Sequence, residues 1–125
     1  MKITIVLLAF LLLLGLDTIY LTLTKKFMMD QIVSVQKFTP NLRVGPAIAC
    51  YVAIFLGLYY FILKTRRPPL DAFILGFVVY AVFELTNYSI FKNWRSSMVL
   101  LDTAWGATLF WLTTMLTYQI DRMWR

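Results

Sequence analysis

The chain has 125 residues, 61% of them hydrophobic and 17% aromatic, with a mean hydropathy of +0.75. A water-soluble domain of this size has no core large enough to hide so much apolar surface, whereas a bilayer accepts it. Twelve Lys and Arg against six Asp and Glu give a net charge of +6; the single cysteine excludes an internal disulfide, and the lack of histidine removes the usual zinc, haem and iron–sulfur ligand sets. No cofactor is expected, and any bound metal is a hard cation held by oxygens.

The first apolar run, about 3–23, follows Lys2 and continues past Asp17 with no small-x-small cleavage site, so it is expected to stay as a membrane anchor. Residues 24–45 form the one long connection. Within it Phe27, Met28, Ile32, Val35 and Phe38 recur at near-helical spacing among Lys25, Lys26, Asp30, Gln31 and Lys37. That pattern suits either a short helix over about 26–38 lying in the headgroup plane or an ordered loop. The second span, about 46–63, contains no acid. Its Ala49, Ala53 and Gly57 make a small-xxx-small ridge that lets another helix pack closely, and Cys50 is expected to be a small buried residue. A basic turn with Pro68 and Pro69 leads to the third span, about 70–91, and the short segment Lys92–Ser96 leads to the fourth, about 97–118.

Short links between antiparallel neighbours predict an all-α integral membrane bundle of four transmembrane helices, up-down-up-down, in one membrane domain over 1–125. An even number of spans returns both termini to one side of the membrane. Six Lys and Arg fall on each face, so the positive-inside rule is tied, and the α-amino group tips the balance towards cytoplasmic termini. The basic residues lie outside the apolar runs and meet the lipid bilayer; a continuous basic face for nucleic acid is missing.

Asp17, Glu84 and Asp102 interrupt three of these spans. A carboxylate near the middle of a bilayer helix costs roughly 2.5–3.5 kcal/mol on insertion scales. A chain keeps such groups where they face one another, a cavity or a ligand. Asp17 and Glu84 lie six and seven residues before the ends of their spans, and Asp102 five after the start of its own. With up-down topology all three are expected roughly 8–10 Å below one face. Tyr20 shares a stripe with Asp17, Asn87 and Tyr88 with Glu84, and Trp105 with Asp102. These seven residues are the candidate ligand or ion site, with at least one carboxyl holding a proton at neutral pH. The fitting partner is a proton, a cation or a small cationic ligand, bound for transport by a homo-oligomer. Two alternatives stand beside this reading. One is a membrane enzyme acting on a lipid or isoprenoid through carboxylate acid and base; no nucleophile motif supports it. The other is a structural network in which Arg43 or Arg95 reaches in from the rim.

Leu16-Asp17 with Tyr20, Glu84-Leu85-Thr86-Asn87, Trp94 and Leu101-Asp102-Thr103-Ala104-Trp105-Gly106 also carry a family likeness. Over nearly its whole length the chain resembles the small bacterial and viral membrane proteins grouped as domain of unknown function 2177. The resemblance implies four spans and these motif residues, and no reaction. The family pattern has Asp in place of Glu84 and commonly Trp in place of Tyr20, substitutions that keep the chemistry and change its reach.

Overall fold

The computed structural model describes residues 1–37 and 43–124, and among them the chain is all-helical. The four helices are α1 (Ile3–Gln36), α2 (Val44–Leu58), α3 (Pro69–Ile90) and α4 (Ser96–Met123). A π-helical turn, Tyr59–Leu63, prolongs α2. Counting that turn with α2, each helix is long and apolar enough to cross a membrane.

α1 differs from expectation. It runs unbroken through 34 residues and stops only where Lys37 adopts a left-handed φ of 68° and donates its N–H to the Val33 carbonyl at 2.8 Å. The amphipathic stretch expected at about 26–38 is therefore helical as the continuation of α1, not as a separate element; Phe38 lies outside the described residues. Lys25, Lys26 and Asp30 end the apolar run but are adequate helix formers, and no Gly or Pro interrupts them before Pro40. At 1.5 Å per residue α1 is about 51 Å long, well beyond a hydrocarbon core of about 30 Å.

Its far end is fastened to the α3–α4 turn. Gln31 is fully buried; its Nε2 donates to the Asn93 carbonyl at 2.9 Å, and its Oε1 accepts the Arg95 N–H at 2.9 Å, just ahead of α4. Asn93 in turn donates from Nδ2 to the Ser34 carbonyl at 3.0 Å. Gln31→Glu keeps the size and removes the donor, setting a carboxylate against a carbonyl. We expect it to lower stability by about 1–3 kcal/mol, read as an earlier thermal unfolding transition in detergent. An unchanged transition would mean that Gln31 does not join these segments.

α3 and α4 form the tightest pair. Pro69, with no N–H to satisfy, opens α3, and Asp71 in its first turn pairs with Arg67 at 2.6 Å. Going up α3 in steps of four, Gly76, Tyr80 and Glu84 meet Phe110, Gly106 and Asp102 going down α4. A Cβ on Gly76 would stand 2.9 Å from the Phe110 Cβ and closer still to the Gly106 carbonyl oxygen; one on Gly106 would stand 2.7 Å from the Tyr80 Cβ and nearer its ring. Each glycine thus receives an aromatic from the opposite helix, and the Tyr80 and Phe110 rings meet edge to face at 6.3 Å. Below the acids an apolar cluster that includes Ala9, Leu13, Leu58, Ile62, Ala72, Leu109 and Phe110 joins all four helices.

α2 is the most loosely held helix, and here two expectations are corrected. Ala49 and Ala53 are exposed, and nothing among the described residues lies within 4 Å of a Cβ on Gly57, so the small ridge faces outward. Cys50 is exposed rather than buried. Small residues ease helix approach, but a lipid-facing surface tolerates them equally, so their spacing does not fix direction.

Candidate functional site

α1 and α4 each carry Asp-Thr-x-aromatic: Asp17-Thr18-Ile19-Tyr20 and Asp102-Thr103-Ala104-Trp105. Three residues apart, acid and ring share one helix face. Because the helices run in opposite directions, the two motifs clasp reciprocally. Tyr20 donates its hydroxyl to Asp102 Oδ1 at 3.1 Å, and Trp105 donates its indole N–H to Asp17 Oδ1 at 2.9 Å. Between these bonds the two rings stack, 4.8 Å apart and 13° from parallel.

Further donors come from α2 and from the α3–α4 turn. Tyr51 donates its hydroxyl to Asp17 Oδ2, the polar tie between α2 and the cluster. Trp94 reaches back across the turn and donates its indole N–H to Glu84 Oε2 at 2.8 Å. Asp102 is the acidic neighbour of the Glu84 carboxyl. Asp17, Glu84 and Asp102 are 5%, 1% and 5% exposed, so all three lie away from solvent and lipid.

What they lack is a cation. Among the described residues no Lys or Arg pairs with any of the three; the ion pairs are Arg66–Asp121 and Arg67–Asp71, elsewhere in the fold. Arg95 stacks its guanidinium over the Phe27 ring at 5.8 Å, and Arg43 is exposed, so the rim pairing expected as an alternative is not made. Nor do the acids surround one point. Glu84 and Asp102 adjoin, whereas Asp17 is held by Trp105 and Tyr51, and no three acidic or thiol groups among the described residues converge as a metal's ligands would.

Two of the acids look into a cavity of about 450 Å³. Its polar side is Asp17, Asp102, Tyr20, Tyr51 and Tyr80; its apolar side includes Leu21, Ile54, Val79 and Phe83. Val79 and Phe83 are 39% and 56% exposed and so mark the rim, while the carboxyls lie deep. Cys50 sits on this wall. α2 and α3, on either side of the opening, pack together mainly near the turn that joins them.

Five of the seven candidate residues, Asp17, Tyr20, Glu84, Asp102 and Trp105, are thus brought together. Asn87 and Tyr88 are not: Asn87 is half-buried, Tyr88 is 49% exposed, and neither lines the cavity. Sequence reasoning missed Tyr51, because in an acid-free span only the small residues and Cys50 were singled out. Trp94 entered only through the family likeness; the signal for its role was an indole donor in a short turn following a buried acid.

A family model described as a predicted membrane protein, DUF2177, matches residues 2–119. The chain belongs to this family. The match covers all four helices up to Gln119 and every residue of the carboxyl cluster of this DUF2177 protein. No curated protein and no solved structure gives a significant match.

Proposed function

We propose that this multi-pass DUF2177 membrane protein binds a cationic amphiphile, with Asp17 and Asp102 receiving the positive head and Leu21, Ile54, Val79 and Phe83 receiving its apolar part. The observation that carries the reading is a cavity walled by two buried carboxyls for which the described residues supply no countercharge. Hydrogen bonds from Tyr20, Tyr51 and Trp105 orient the carboxylates without cancelling their charge. Within a bilayer such charge is expensive, and an ammonium or a proton removes it. At Asp17 the open side is the cavity. The volume falls in the ~300–1,000 Å³ range of small-ligand sites, and an organic cation suits it better than a bare metal ion, since the ligands for one do not converge.

A set of probes with one tail and three heads tests this. n-Octylammonium should raise the melting temperature of the protein in dodecyl maltoside, while n-octanol and octanoate should not; a hundredfold excess over Kd corresponds to about 2.7 kcal/mol. Asp17→Asn and Asp102→Asn should each abolish the shift. Equal shifts for all three probes, or a shift indifferent to both variants, would overturn the proposal.

The reciprocal Tyr20–Asp102 and Trp105–Asp17 bonds favour a second reading, in which the acids serve only to lock α1 against α4. It expects the asparagine variants to fold and none of the probes to bind even the wild type.

A further inference from the structure

A second hollow lies at the other end of the bundle, where the π-turn, the start of α3 and the end of α4 meet. It measures about 400 Å³ and is lined by Arg66, Pro69, Met115, Tyr118, Gln119 and Arg122. We propose that it binds the phosphate of an anionic phospholipid at the membrane surface. This site is independent of the carboxyl cavity and shares none of its residues.

The architecture is specific. The π-turn makes five-residue hydrogen bonds, from the Lys64 N–H to the Tyr59 carbonyl at 2.8 Å and from the Arg67 N–H to the Ile62 carbonyl at 2.9 Å. Between them Arg66 takes a left-handed φ of 54°, a conformation that a long L side chain seldom adopts. Its guanidinium is fixed by Asp121, Nη1 to Oδ2 at 2.7 Å, with its side chain 43% exposed. Arginine has five N–H donors in a rigid fork, and a single carboxylate oxygen leaves most of them free for a phosphate. Tyr118 donates its hydroxyl to the Arg67 carbonyl at 2.7 Å, locking the turn against α4. Arg122 and Gln119 are exposed on the same wall, and Arg122 makes no ion pair among the described residues.

Charge and position select the ligand. Lys64, Arg66, Arg67 and Arg122 stand against Asp71 and Asp121, a net positive rim. Exposed Leu70 and Trp124 flank it at the ends of α3 and α4, where acyl chains begin and indoles settle at the headgroup level. A zwitterionic headgroup brings its own ammonium into this rim; an anionic one does not.

The full chain in dodecyl maltoside, titrated with phosphatidylglycerol, phosphatidylcholine or sn-glycerol 3-phosphate, tests the site by thermal unfolding. Phosphatidylglycerol should raise the melting temperature saturably, and the other two should not at equal concentration. Arg66→Gln also breaks the Asp121 pair, so the informative variant is Arg122→Gln, which should melt like the wild type unliganded and bind phosphatidylglycerol about ten-fold more weakly. Arg95→Gln, at the opposite end, should bind as the wild type does. Equal shifts from phosphatidylcholine, an equal shift from the soluble phosphate, or full binding by Arg122→Gln would overturn the proposal.

Discussion

Gly106→Ala is expected to destabilise the protein by about 3 kcal/mol, the upper part of the usual range for overpacking. The added methyl would stand 2.7 Å from the Tyr80 Cβ and nearer the ring, and Tyr80 cannot retreat because it packs edge to face on Phe110. Relief requires α3 and α4 to move apart. That separation would pull Glu84 from Asp102 one helical turn away, so the carboxyl site is disturbed along with the pairing. Gly76→Ala should behave alike, because its methyl meets the Gly106 carbonyl, and backbone yields less readily than a side chain. The same substitution at Gly15 or Gly57, where nothing lies within 4 Å, should be neutral or stabilising by up to about 1 kcal/mol from helix propensity. Thermal unfolding of the four variants in one detergent decides the matter; a Gly106→Ala protein that melts with the Gly57→Ala protein would mean that the helices do not approach so closely.

The second large effect is expected at Asp17, where two replacements separate charge from hydrogen bonding. Asp17→Leu removes the acceptor for both Trp105 Nε1 and Tyr51 Oη, leaving two donors unsatisfied in an apolar setting. Each such loss costs about 1–3 kcal/mol, so a total of about 2–6 kcal/mol is expected. Asp17→Asn keeps one oxygen for the Trp105 indole, which can only donate, and turns its amide towards Tyr51, whose hydroxyl reverses to accept. It should stay within about 1 kcal/mol of the wild type in thermal unfolding. Equal losses from Leu and Asn would mean that charge, not the donor pair, holds α1 to its neighbours.

The four spans were legible in the sequence because length and hydropathy are all that crossing a membrane requires. The end of α1 was not, because Lys25, Lys26 and Asp30 close a membrane segment without closing a helix. This affects the reasoning about Asp17, whose depth had been measured back from an expected span end at about residue 23. Its level beside Asp102 is fixed instead by the paired Tyr20–Asp102 and Trp105–Asp17 bonds. Leu-Asp-Thr occurs at both 16–18 and 101–103, on opposed helices, and opposed helices are what a reciprocal clasp needs. Tyr51 carried no periodic signal; only the position of α2 beside α1 gives its hydroxyl a partner. The outward turn of Ala49 and Ala53 was unreadable for a related reason, since lipid and a packed helix both accept small side chains.

An unbroken α1 has a mechanical consequence. A straight rod of about 51 Å cannot be accommodated in a hydrocarbon layer of about 30 Å by tilt alone, because the angle required would exceed the usual 0–40°. Its final turns must therefore protrude, rigidly continuous with the portion that bears Asp17. With no break between them, and with Gln31 tied to the α3–α4 turn, α1 joins that turn to the carboxyl cluster through one continuous helix.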